Sequence, residues 1–161
     1  MRIAQTLTAF AAAAAVLIAT AAAADPAGGF GAYPAQVWHG RPAAPNFASL
    51  PSARQFRTMI ADGARHGVNF AGRYALVTFG CGSGCNMTYM VDEMNGRISA
   101  FPMGGEDYPY LTLDHRADSR LLHARWGRTS GAEACVHQDM VLEARGFRRL
   151  AQHVTPGACP V

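Results

Sequence analysis

Tyr74-Ala75-Leu76-Val77-Thr78-Phe79-Gly80-Cys81-Gly82-Ser83-Gly84-Cys85-Asn86-Met87-Thr88-Tyr89-Met90-Val91 decides the fold. The run 74–79 is apolar on both faces of an extended chain, which predicts a central rather than an edge strand. Gly82-Ser83-Gly84 then fits a three-residue hairpin loop, with glycine free to take positive φ. Opposing Cys81 to Cys85 places Phe79 against Met87, Val77 against Tyr89 and Ala75 against Val91. Each of these pairs can share a buried face, so the register is self-consistent.

The neighbouring segments extend this hairpin into a meander. Asn95-Gly96 signals a tight second turn, which aligns Val91 with Ala100 and Met90 with Phe101. Residues 102–118, with Pro102, Gly104-Gly105 and Pro109, read as a loop. Leu121–Trp126 alternates, with Leu122, Ala124 and Trp126 on one face and His123 and Arg125 on a solvated one. Val136–Leu142 and Phe147–Val154 form a last hairpin around Gly146. Upstream, Ser52 is positioned as an N-cap for a helix over about 53–65, with Phe56, Met59, Ile60 and Gly63-Ala64 on its apolar stripe and Gly67 as its terminator. The expected class is α+β: one antiparallel sheet of about six strands with one N-terminal helix packed on it.

Residues 1–24 have the anatomy of a secretory signal: Arg2, an apolar run from Ile3 to Ile18, and the small residues Ala21–Ala24 before Asp25-Pro26. No basic stop-transfer cluster follows, so no membrane span is expected after cleavage. Five prolines make 25–51 an extended lead-in, and 52–161 is expected to be one α+β domain. All 14 basic residues are arginine and the formal charge is +3. These arginines are scattered, which argues against a nucleic-acid partner, and no lysine is present for Schiff-base chemistry.

In an exported chain, four cysteines imply disulfides rather than thiol catalysis. Opposed strand positions suit Cys81–Cys85, and the last hairpin brings Cys135 near Cys159. Loop entropy gives about 2 kcal/mol for the short ring and about 3.5 kcal/mol for the long one. A redox pair would need Cys-x-x-Cys at a helix start, and zinc would need two further ligands at finger or ribbon spacing. The six histidines stand apart in sequence. Met87, Met90 and Met94 raise the question of Cu(I), but Met87 and Met90 point to opposite faces of a strand, which favours core packing. Ser83 lacks a nucleophile elbow, and the Gly80/Gly82/Gly84 spacing fails the dinucleotide pattern. Asn86-Met87-Thr88 matches a glycosylation sequon, a short pattern that carries little alone. No cofactor is expected.

Asn69-Phe70-Ala71-Gly72-Arg73-Tyr74, Gly80 through Cys85, Asp92 through Gly96 and Asp118-Ser119-Arg120-Leu121-Leu122 together resemble a family of small uncharacterised exported bacterial proteins. The resemblance covers about residues 53–126 and extends loosely to the last hairpin. It implies an envelope setting and a structural role for the glycine–cysteine turn, with no catalytic residues to carry over.

The functional expectation is a non-catalytic periplasmic or secreted module that binds a protein or glycan of the cell envelope. Its contact surface is expected at Ser83 together with Tyr108, Tyr110 and His115 of the adjacent loop. One alternative is a hydrolase gathering His115 or His123 with Asp114 or Asp118 and a nucleophile in the 102–123 region. A thiol-redox or metal-handling role is the other.

Overall fold

The computed structural model describes residues 28–128 and 133–159. The segment 1–24, expected to be a secretory signal, lies outside the described residues. One short helix, α1 (Arg57–Ala64), is followed by seven strands: β1 (Tyr74–Gly82), β2 (Cys85–Asp92), β3 (Ile98–Ala100), β4 (Thr112–His115), β5 (Leu121–Gly127), β6 (Ala134–Glu143) and β7 (Gly146–Pro156). The class is α+β, but the strands form two antiparallel sheets, β1-β2-β3 and β4-β5-β6-β7, in place of the single six-stranded sheet expected.

β1 is an edge strand and not the central one expected. Its two apolar faces are covered by the layers above and below the sheet and not by strands on both sides. Ala75 and Val77 face Ile60 and Ala64 of α1, joined by Tyr89, Val91 and Ile98. Leu76 faces the other way, into a core with Phe70, Phe101, Met103, Leu122 and Met140. The three-stranded sheet is therefore the middle layer, between α1 and the four-stranded sheet. Gly63 is required where helix and sheet meet, because a Cβ there would fall 2.3 Å from Val77 Cγ1.

Pairing in the first hairpin agrees with the sequence at Ala75↔Val91, Val77↔Tyr89 and Phe79↔Met87. Its tip is tighter than expected. Gly82 pairs with Cys85, leaving Cys81 as the extra residue of a bulge and Ser83-Gly84 as the turn. The second hairpin slips by two: Val91 pairs with Ile98 and Met90 with Ser99. Asp92 causes this slip. Its carbonyl accepts from Asn95 N–H and Gly96 N–H, and its carboxylate accepts from Met94 N–H and Asn95 Nδ2. Arg73 closes the same carboxylate from Nε (3.1 Å) and Nη2. A slip of two keeps every side chain on its original face.

The helix starts differently from the sequence expectation. Residues Pro51–Phe56 form a 3-10 helix, Ser52 makes no capping bond, and α1 begins at Arg57. Pro51 fixes the entry and takes over the role expected of a cap. Met59, expected on the apolar stripe, is 42% exposed. β4 lies inside the stretch expected to be loop.

The proline-rich segment straps onto the fold through its backbone. Ala35 N–H donates to Asp118 O, Trp38 N–H to Gly72 O, Ala43 N–H to Glu93 O and Asn46 N–H to Gly96 O. Residues 69–74, which receive the Trp38 bond, form a hub of further hydrogen bonds. Asn69 accepts from Leu76 N–H (2.7 Å) and donates to Leu76 O (3.0 Å), acting as an extra strand partner for β1. Ala71 and Gly72 take φ of 48° and 79°. Their N–H groups reach Ser119 O and Ala117 O, tying the β1 entry to the other sheet. The one hydroxyl proton of buried Ser119 is shared between Phe30 O (2.8 Å) and Tyr33 O (3.1 Å), and its oxygen accepts from Leu121 N–H. Asp118-Ser119-Arg120 therefore serves structure.

Glu93, in the β2–β3 loop, is fully buried, and neither carboxylate oxygen has a hydrogen-bond partner in the structure. Burial first, and the neighbouring Asp92 charge second, raise its pKa above the ordinary carboxylate value. A folded-state pKa above the unfolded one means that unfolding releases a proton between the two values. The stability held below the unfolded pKa is therefore lost as pH rises through the folded one. Glu93→Gln should remove that part of the pH slope. Glu93→Met should raise neutral-pH stability by about 1–3 kcal/mol. Urea unfolding of the three proteins across the acidic-to-neutral range checks both statements.

Candidate functional site at the disulfide-bridged turn

The β1–β2 turn is stapled by Cys81–Cys85, with Cα atoms 5.1 Å apart. Gly82 and Gly84 have φ of 144° and 70°, which a side chain would strain. The 102–111 segment is fastened alongside. Gly105 N–H donates to Asn86 O (2.8 Å), and Asn86 Nδ2 donates to Leu111 O (2.9 Å). Asn86, the sequon asparagine, thus has a structural use for its amide.

Tyr110 joins these two pieces. Its N–H donates to Gly84 O at 2.6 Å. Its ring lies so close over Gly84 that a Cβ there would sit 3.0 Å from Tyr110 Cζ. The residue takes φ of 58°, the left-handed region that a bulky side chain disfavours by roughly 1–2 kcal/mol. It is nevertheless 65% exposed. The strained backbone of this exposed aromatic is held by its neighbours and not by burial of its own ring. Ser83 in the turn and Glu106 and Asp107 in the 102–111 segment are exposed.

Of the four residues expected to form a contact surface, Ser83 and Tyr110 meet here. Tyr108 lies on the same loop, but its ring packs edge-on against Trp126, with centroids 5.3 Å apart. His115 is not part of the tip. Its Nδ1 lies 2.9 Å from Asn69 O and its ring packs edge-on against Phe70.

Of the groups weighed for hydrolysis, Asp114 and His123 oppose each other on one face of the sheet, and His115 lies on the other. His115 pairs with Leu122 and Asp114 with His123, so the two histidines project from opposite sides of the sheet. His123 Nδ1 lies 2.7 Å from Asp139 Oδ1, and its ring meets Phe30 edge-on. The expected solvated face around His123 is therefore partly covered. A cleft of about 600 Å³ opens between the sheets, lined by residues including Met90, Met103, Met140, Tyr108, Phe147 and Arg149. None of its lining residues is His, Asp, Glu or Cys.

The cysteines pair as Cys81–Cys85 and Cys135–Cys159, and none is free among the described residues. No group of three or more His, Cys, Asp or Glu side chains among the described residues could hold a metal. No helix among them is long and apolar enough to cross a membrane.

Two features have no signal in the sequence. Pro109-Tyr110 carries no glycine or asparagine to signal positive φ. His137 and His153 stack across β6 and β7, with centroids 4.6 Å apart and planes at 3°. The hairpin turn, counted outward from Glu143↔Gly146, aligns His137 with Gln152. A bulge between Asp139 and Met140 advances β7 by one residue and brings His153 opposite instead. Burial, then the facing His153 and Arg125, push the His137 imidazole below its usual pKa, against a smaller opposing effect of Asp139. Comparison with protein-family models, curated proteins and solved structures gives no match, so the functional argument rests on the geometry of this chain.

Proposed function

We propose that this is an exported, non-catalytic recognition module of the cell envelope that binds a glycan at the disulfide-bridged turn, with Tyr110 as the platform. The observation that carries the proposal is the pairing of exposure with backbone strain at Tyr110. A pyranose ring presents an apolar C–H face to an aromatic ring and a rim of hydroxyls to polar neighbours. Tyr110 offers the first surface, while Ser83, Glu106 and Asp107 offer hydrogen-bond partners for the second. The bridged turn limits the ordering cost of binding. Export is supported by the 1–24 segment and by the two disulfides.

Co-sedimentation of the mature protein with insoluble peptidoglycan tests this reading. Tyr110→Gly should abolish sedimentation while leaving the thermal midpoint unchanged or slightly raised, since glycine relieves the left-handed strain. Ser83→Ala should weaken sedimentation by a few-fold, as expected for one exposed hydrogen bond. Undiminished sedimentation of Tyr110→Gly removes the platform. Capture of an envelope protein by the wild type, lost in Tyr110→Gly, would keep the surface and replace the glycan with a protein partner.

A further inference from the structure

We infer that His137 and His153 form a two-histidine site for a first-row divalent cation on the outer face of the four-stranded sheet. The residues oppose each other directly on β6 and β7, and their rings are stacked and nearly parallel. Neutral imidazole is the ligating form. Thr155 Oγ1 lies 3.1 Å from His137 Nε2. When Nε2 carries the proton and donates it to that hydroxyl, the His137 Nδ1 lone pair is left for a metal, the arrangement by which outer-shell groups fix a ligand's tautomer. His153 is exposed and can turn about its side-chain bonds to bring a nitrogen within about 3 Å of that of His137, the separation set by two metal–nitrogen bonds of about 2.0–2.1 Å. Both ligands sit on adjacent paired strands, so little backbone ordering is needed on binding.

The surrounding charges favour a neutral-ligand site of moderate affinity. Arg125 opposes His137 from β5 and acts against a cation. Asp139, two residues along β6 on the same face, acts in favour, with one oxygen at His123. Two imidazoles with the remaining positions open to solvent suit borderline cations, and affinity should follow the order Cu²⁺ above Ni²⁺ and Zn²⁺. The bound cation would retain sites for an exogenous ligand.

Isothermal titration of the mature, oxidised protein with Cu²⁺, Ni²⁺ and Zn²⁺ tests the inference. One equivalent of Cu²⁺ should bind, and His153→Ala and His137→Ala should each weaken it about tenfold or more. His66→Ala, a change at an exposed histidine beyond α1, should leave it unaltered. Because His153 is exposed, its variant should retain the wild-type thermal midpoint without metal, and should lose the rise that Cu²⁺ gives the wild type. Unchanged Cu²⁺ binding in His153→Ala, or no binding by the wild type, overturns the site.

Discussion

Phe70→Ala should cost about 3–5 kcal/mol of unfolding free energy. Phe70 is fully buried in the core shared by the two sheets. Its ring lies parallel to Phe147 from β7, with centroids 5.9 Å apart at 13°, and meets His115 of β4 edge-on at 6.0 Å. Truncation leaves a void whose walls come from different elements, and the hydrogen-bonded hub at 69–74 restrains the backbone from closing it. Urea unfolding by linear extrapolation measures the loss. Met94→Ala, at an exposed loop position, should change stability by less than about 0.5 kcal/mol. A loss below about 1 kcal/mol at Phe70 would mean that the sheets do not pack through this ring.

Removing the Cys135–Cys159 bridge should be comparably costly. The chain-entropy estimate for a bridge spanning 24 positions is about 3.5 kcal/mol, against about 2 kcal/mol for the Cys81–Cys85 ring spanning 4. Cys135 is fully buried, whereas Cys81 is exposed. The two bridges should therefore differ in access as well as in weight. A mild reductant should open Cys81–Cys85 first, leaving the fold largely intact, and Cys135–Cys159 only when β7 separates from β6. The double variants Cys135→Ala/Cys159→Ala and Cys81→Ala/Cys85→Ala, compared by chemical unfolding, test the order of stability. Timed alkylation with peptide mapping tests the order of reduction. Two titratable thiols in denatured, unreduced protein would contradict the assignment of two bridges.

The elements legible in the sequence are those whose determinants are local. The first hairpin was readable because Ala75, Val77 and Phe79 face Val91, Tyr89 and Met87 in one register and in no neighbouring one. Strands β5 to β7 were readable from alternation and from Gly146. The division into two sheets was not, because the antiparallel patterns of one sheet and of two are alike along the chain. The apolarity of both faces of β1 was the available clue, since a strand packed on both sides needs a second layer beyond α1. The β2–β3 slip depends on Asp92, whose carbonyl and carboxylate reorganise a turn that Asn95-Gly96 alone would have made shorter. β4, only four residues long, carries too little pattern to stand out between Pro109 and Asp118.

The candidate site divides in the same way. The rigid turn and its cysteines followed from spacing and from glycine. Tyr110 stands out in the sequence by residue type, but its contact with Gly84 depends on Asn86 holding the 102–111 segment in place. His115 is near the tip in sequence only. β4 carries it away, toward Phe70, because it shares a face with Leu113 and Leu122. The His137–His153 pair depends on one bulge, which no local residue signal announces.

The tyrosine ring resonances of the mature protein, followed by NMR during addition of a soluble β-1,4-linked N-acetylglucosamine oligomer, test the recognition proposal most directly. The chain has five tyrosines, and Tyr110 is the one that presents a large exposed ring among the described residues. The account predicts a saturable shift of the Tyr110 ring signals, with those of Tyr33, Tyr74 and Tyr89 unmoved. Saturation without movement at Tyr110, or no shift at any tyrosine, would contradict it.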